Sequence, residues 1–112
     1  LPYVEGGYHA ARTLLSAHPE IDGLICYNDL VAVGALQACA ELGRRVPDDV
    51  SVVGCDDIPL ARLVTPPLTT LRVSRHEIAS RAVSMLFDRM QSHDEQGTII
   101  LKPELIVRAS AP

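Results

Sequence analysis

Gly23-Leu24-Ile25-Cys26-Tyr27-Asn28-Asp29 and Val50-Ser51-Val52-Val53-Gly54-Cys55-Asp56-Asp57 are two apolar runs, each ending in a polar pair. Such runs suit strands buried in a parallel sheet, and small ligands bind in the crevice beyond the carboxyl ends of such strands. Between them, Leu30 to Leu42 reads as a helix stopped by Gly43, with Asp29 ahead of it as the expected cap for its first amides. Upstream, Tyr8, Ala11, Leu14 and Leu15 recur at helical spacing between Gly6-Gly7 and His18-Pro19, and a strand follows over Ile21 to Tyr27. Helix, strand, helix, strand over residues 6–54 implies right-handed crossovers, a parallel sheet and an α/β fold.

Beyond the polar turn Arg44 to Asp49 and the second strand, Leu60 to Thr65 is apolar without clean periodicity. Pro66-Pro67 then forces extended backbone and reads as a boundary. Leu68 to Val73 reads as a strand. Ser74-Arg75-His76-Glu77 has the form of a capping box, opening a helix to about Gln91 with Ile78, Ala82, Met85, Leu86 and Met90 as its apolar stripe. Ser92 to Gly97 reads as a polar loop, and Thr98 to Ser110 as an extended stretch that Pro103 confines to an edge strand or bulge.

The 112 residues, 47% apolar and 21% charged, suffice for one small domain with a genuine core and argue against disorder. A formal charge of -4 offers no basic field, so any contact with DNA must come from elsewhere. No apolar stretch approaches the roughly 20 residues needed to cross a bilayer. Leu1 is not a translation start and no secretory pattern follows it, so the chain reads as a piece of something longer. Cys26, Cys39 and Cys55 are odd in number and lack CxxC spacing, which points to reduced thiols and a cytoplasmic location. His9, His18, His76 and His93 have no partner at metal-ligand spacing, and no metal or cofactor is expected.

The second helix is apolar nearly all round, so it must be covered on more than one side. Two readings stand: a deeply buried helix, or one whose outer face docks on a second subunit. At the strand ends, a carboxylate accepts from two hydroxyls while an amide both donates and accepts. Asn28 with Asp56 therefore suits a sugar, polyol or nucleoside, unless Asn28 and Asp57 merely cap turns and helix ends. An enzyme using Asp56 or Asp57 as base lacks visible completing residues.

The segments Tyr27-Asn28-Asp29-Leu30-Val31-Ala32-Val33-Gly34-Ala35, Val46-Pro47-Asp48-Asp49-Val50-Ser51-Val52-Val53-Gly54-Cys55-Asp56-Asp57, Pro66-Pro67-Leu68-Thr69-Thr70 and Leu105-Ile106-Val107-Arg108-Ala109-Ser110 together resemble the lactose/galactose repressor (LacI/GalR) family of bacterial transcription regulators. The likeness covers almost the whole chain. It implies a partial Rossmann-like lobe of a periplasmic-binding-protein-like (type I) fold. By analogy residues 1–67 belong to the C-terminal lobe of an effector-binding core, 68–97 form a crossover strand and helix of the N-terminal lobe, and 98–112 return to the C-terminal lobe. The same analogy leaves the strand before Tyr27 without its neighbour.

The resemblance implies that Asn28 and Asp56 bind the effector, a sugar or related small molecule, and that Asp29 is the helix cap at the site. It places Thr69, Thr70 and Val73 at the crossover between lobes, where an effector shifts a population of orientations. Cys55 and Val73 stand where the family often has an aromatic residue and a glutamine. Val33, Gln37 and Glu41, with Leu60, Leu63 and Val64, match the family's homodimer interface. Operator DNA is then reached only through an N-terminal domain that this chain does not include. The alternative is a periplasmic sugar-binding receptor of a transporter.

Overall fold

The computed structural model describes residues 3–92 and 97–112, so residues 93–96 of the expected polar loop, including His93, lie outside the described residues. The described chain divides into two compact units, one running to Arg72 and resuming over Glu104–Pro112, the other spanning Val73–Pro103.

The first unit opens with α1 (Val4–Ala17), β1 (Gly23–Ile25), α2 (Asp29–Glu41) and β2 (Ser51–Cys55). A 3-10 turn (Pro59–Arg62), β3 (Thr69–Arg72) and β4 (Glu104–Ile106) complete it. The sheet runs β1-β2-β3-β4. Leu24 pairs with Val52 and Val53 with Thr69, both in parallel, whereas Thr70 pairs antiparallel with Ile106. The expected α/β fold is present, with a parallel-dominated sheet and an antiparallel edge strand just past Pro103.

Small side chains set the packing. Ala32, Ala35, Ala38 and Cys39 of α2 are buried with Ala11 and Leu15 of α1, and Val50, Val52 and Leu68 complete the core. Helix α1 begins at Val4, not at Tyr8 as its apolar repeat suggests, because Gly6-Gly7 is not a break. Gly7 is the point where α1 meets α2: a Cβ there would overlap the Val31 carbonyl oxygen, and one at Gly34 would overlap that of Val4. Bare backbone at both positions lets the helices touch. Tyr8 Oη ties the same helices together by donating to Glu41 Oε2 at 2.6 Å.

The proline pair does not mark the edge of the unit. Leu68, Thr69 and Thr70 are fully or almost fully buried, and the strand they open is hydrogen-bonded to β2. Extended backbone at Pro66-Pro67 feeds directly into the sheet, so the boundary falls after Arg72 rather than at residue 67, and β3 does not group with the helix that follows it.

The second unit holds α3 (Arg75–Ser92), whose start is capped by Ser74 Oγ, an acceptor for Glu77 N at 3.2 Å. Ile78, Val83, Leu86, Phe87 and Met90 are all exposed along it.

Candidate functional site

Parallel pairing brings the carboxyl ends of β1 and β2 to one end of the sheet, where Asn28 and Asp56 follow them respectively. The two polar residues singled out at strand ends therefore stand beyond neighbouring strands. Asp56 is exposed, and its backbone sits at φ 111°, followed by Asp57 at 49°. Two consecutive non-glycine residues at positive φ are strained, and such conformations persist where surrounding contacts over-determine them.

Those contacts come from two buried carboxylates. Asp29 is fully buried; its Oδ1 accepts from Thr70 Oγ1 at 2.5 Å and its Oδ2 from Ile58 N at 2.8 Å. It is the first residue of α2 and not its cap: Asn28 holds that position in extended backbone, its Oδ1 accepting from Val31 N at 2.9 Å. The expected role of Asp29 fails because its carboxylate turns away from the free amides of α2 toward the loop after β2. Gly54 lies against Asp29, leaving no room for a Cβ there.

Asp57 anchors the other side of the turn. Its side chain is 3% exposed and accepts from Arg108 Nη2 at 2.5 Å and Arg72 Nε at 2.8 Å, with Arg62 Nη2 at 3.6 Å. Burial is the largest single influence on its carboxyl and works to raise the pKa. Hydrogen bonds and charge from Arg108 and Arg72 outweigh it and hold the pKa below the ordinary value. From the sequence Asp57 reads as a turn cap or a candidate base, and its pairing with arginines is not anticipated, because those partners lie 15 and 51 residues away.

Of the expected crossover residues, Thr69 and Thr70 are built into the sheet, while Val73 is the first residue of the second unit. Thr69 N donates to Ser110 Oγ at 2.8 Å and Thr69 Oγ1 accepts from Arg108 N at 2.7 Å. The segment entering the crossover is thus fastened to the C-terminal stretch.

Val33, Gln37 and Glu41 fall at four-residue spacing on α2, half-buried, exposed and exposed, with Glu41 engaged by Tyr8. Leu60 on the 3-10 turn and Leu63 just after it are exposed, Leu63 to 77%, and Val64 is half-buried. All three cysteines are free thiols, and Cys26 stands opposite Gly54 rather than Cys55, given the Ile25–Val53 pairing. Burial, aided by Cys39, pushes the Cys26 thiol up to about 11, so it is not a thiolate near neutral pH. Among the described residues no group of three or more His, Cys, Asp or Glu is placed to hold a metal ion, and no helix is long and apolar enough to cross a membrane.

Comparison with known proteins gives a consistent answer. Residues 2–111 match the model of the periplasmic binding protein-like domain. The HTH-type transcriptional repressor PurR of Pasteurella multocida is 38% identical over 107 residues, covering 95% of this chain and 32% of that protein. A lactose operon repressor sequence from Rhizobium radiobacter is 38% identical, covering 96% of this chain and 95% of its own length. The LacI family regulator of Arthrobacter sp. FB24, solved in complex with lactose, superposes with a TM-score of 0.89 at 37% identity, covering 98% of this chain and 42% of that one. The Lac repressor dimer bound to operator superposes with a TM-score of 0.90 at 28% identity, covering 97% and 38%. The chain spans about a third of the length of the PurR repressors it matches.

Proposed function

The chain belongs to the LacI/GalR family of transcription regulators as part of its periplasmic binding protein-like effector domain, and we propose that it binds a small polyhydroxylated effector, a sugar foremost, through Asn28 and Asp56. The observation that carries this reading is the placement of an exposed Asp56, held at positive φ, beside Asn28 at one end of a parallel sheet. A carboxylate projected there accepts from adjacent hydroxyls of a sugar ring. Asn28 caps α2 as well, so in this reading one side chain serves both the helix and the crevice.

In this reading the effector shifts the population of two arrangements of the longer regulator, and reciprocally its operator shifts effector affinity. In the same reading residues 1–72 with the closing strand form the C-terminal lobe, and α3 belongs to the N-terminal lobe. Operator DNA is met by a part of the regulator outside these 112 residues, in keeping with their net charge of -4. Dimerisation uses the α2 face of Val33 and Gln37 together with Leu60 and Leu63, whose exposure favours burial against a second copy. The work is regulatory and cytoplasmic rather than enzymatic, since the relatives named above are repressors.

The test is calorimetric titration with lactose and cellobiose, using the wild-type chain and Asp56→Ala. Losing hydrogen bonds to a charged group costs about 1.5–3 kcal/mol, so Kd is expected to rise by roughly 10- to 100-fold with sedimentation as a dimer unchanged. An unchanged Kd removes Asp56 from the site.

A further inference from the structure

Arg72 and Glu104 occupy matching places in the chain. Arg72 is the last residue of the first unit before the chain leaves it, and Glu104 is the first after its return. They are directly paired across the antiparallel ladder, and Arg72 Nη1 lies 3.3 Å from Glu104 Oε2. The same guanidinium donates through Nε to Asp57 Oδ2 at 2.8 Å. One side chain therefore touches the residue next to Asp56 and joins the two points where the chain crosses out of the sheet.

The turn it grips is a conditional structure. Asp56 and Asp57 both sit at positive φ, and the Asp56 amide donates to Leu71 O at 2.8 Å, one residue before Arg72. Residues in such conformations keep them only while neighbouring contacts enforce it, so a change at Arg72 alters the balance in the turn. The rigid fork of a guanidinium serves two carboxylates at once in a fixed geometry, which an ammonium cannot do. Arg108 holds the other oxygen of Asp57 and keeps the carboxylate paired when Arg72 moves.

We infer that Arg72 is a positioning residue that couples the Asp56–Asp57 turn to both crossings of the chain, through Asp57 on one side and Glu104 on the other. A ligand on Asp56 and the state of the crossings then bias each other by the same free energy. Only this last consequence rests on the proposed binding of effector at Asp56; the coupling itself is a property of the chain without ligand.

The measurement is amide hydrogen exchange by NMR on the ligand-free 112-residue chain, arranged as a double-mutant cycle. Glu104→Gln alters the far end of the relay and leaves Asp57 untouched. It is expected to speed exchange at the Asp56 and Ile58 amides about threefold, the scale of an opposite-charge cross-strand pair. Exchange at Val52, in the centre of the sheet, stays at the wild-type rate. In an Arg72→Gln background the same Glu104→Gln change has no effect on the turn, because the connection is already cut. General loosening would instead move Val52 along with the turn in both backgrounds. Turn amides unaffected by Glu104→Gln, or an effect that survives in Arg72→Gln, overturns the proposal. Since no sugar is present, the coupling can fail while Asp56 still binds effector, and can hold when it does not.

Discussion

Asp57 shows how much a single buried carboxylate does in this chain. Its folded pKa lies below the value of an unfolded aspartate, about 3.9. Below that value the unfolded chain takes up the proton first, so the stabilisation by Arg108 and Arg72 is fully present above about pH 4 and is lost as pH falls through the folded pKa. Asp49, held down to about 2 by Arg45, titrates in the same direction over roughly pH 4 to 2. Asp57→Asn leaves two guanidinium groups without their carboxylate and is expected to cost about 3 kcal/mol at pH 7. Chemical denaturation from pH 7 to 2.5 should show the gap between wild type and variant narrowing below pH 4; a constant gap would mean that Asp57 ionisation is not what stabilises the turn. Its enclosure was beyond reach of the sequence because nothing local distinguishes Asp57 from Asp56. Adjacent carboxylates of equal chemistry received opposite fates, one exposed and one enclosed, through arginines placed by the fold.

Among the elements, α2 and β2 were the most legible, since an all-apolar helix closed by glycine and a β-branched run depend on local pattern alone. The start of α1 was not, because Gly6-Gly7 carries a break signal locally and a contact signal only once α2 is beside it. The glycines at the crossing make a sharp element-level prediction. An alanine at position 34 gains about 1 kcal/mol of intrinsic helix propensity. Its Cβ meets backbone rather than flexible side chain, including Tyr8 N at 2.5 Å, so the helices must separate, at a cost of typically 1–3 kcal/mol or more. Gly34→Ala should therefore lower the urea midpoint with an unchanged slope. Gly23→Ala, whose Cβ would meet nothing within 4 Å, should leave it within about 0.5 kcal/mol of wild type. Equal midpoints for the two variants would show that α1 and α2 have slack to absorb a methyl group. The boundary was misplaced for a related reason: Pro66-Pro67 dictates extended backbone, but whether an extended segment joins a sheet depends on a partner strand, here β2, that the prolines do not reveal.

Across the whole molecule, stability is unevenly distributed. The first unit encloses a contiguous core, whereas in the second Leu86, Phe87 and Met90 are 59%, 57% and 67% exposed. An 18-residue helix with so little burial relies mainly on its own backbone, and isolated helices of that length are marginal in water. Apolar surface is also open at β1, the sheet's edge, where Ile25 and Tyr27 are 88% and 80% exposed. That pattern fits a chain spanning about a third of the length of its PurR relatives. For the 112 residues alone, hydrogen exchange followed by mass spectrometry should find residues 75–91 exchanging within seconds to minutes, while α2 and β2 remain protected far longer. Trypsin should cut first at Arg81 and Arg89, leaving the α1–β2 core intact. Protection of α3 equal to that of α2 would require a cover for its apolar face, and its loss on dilution would identify that cover as another copy of the chain.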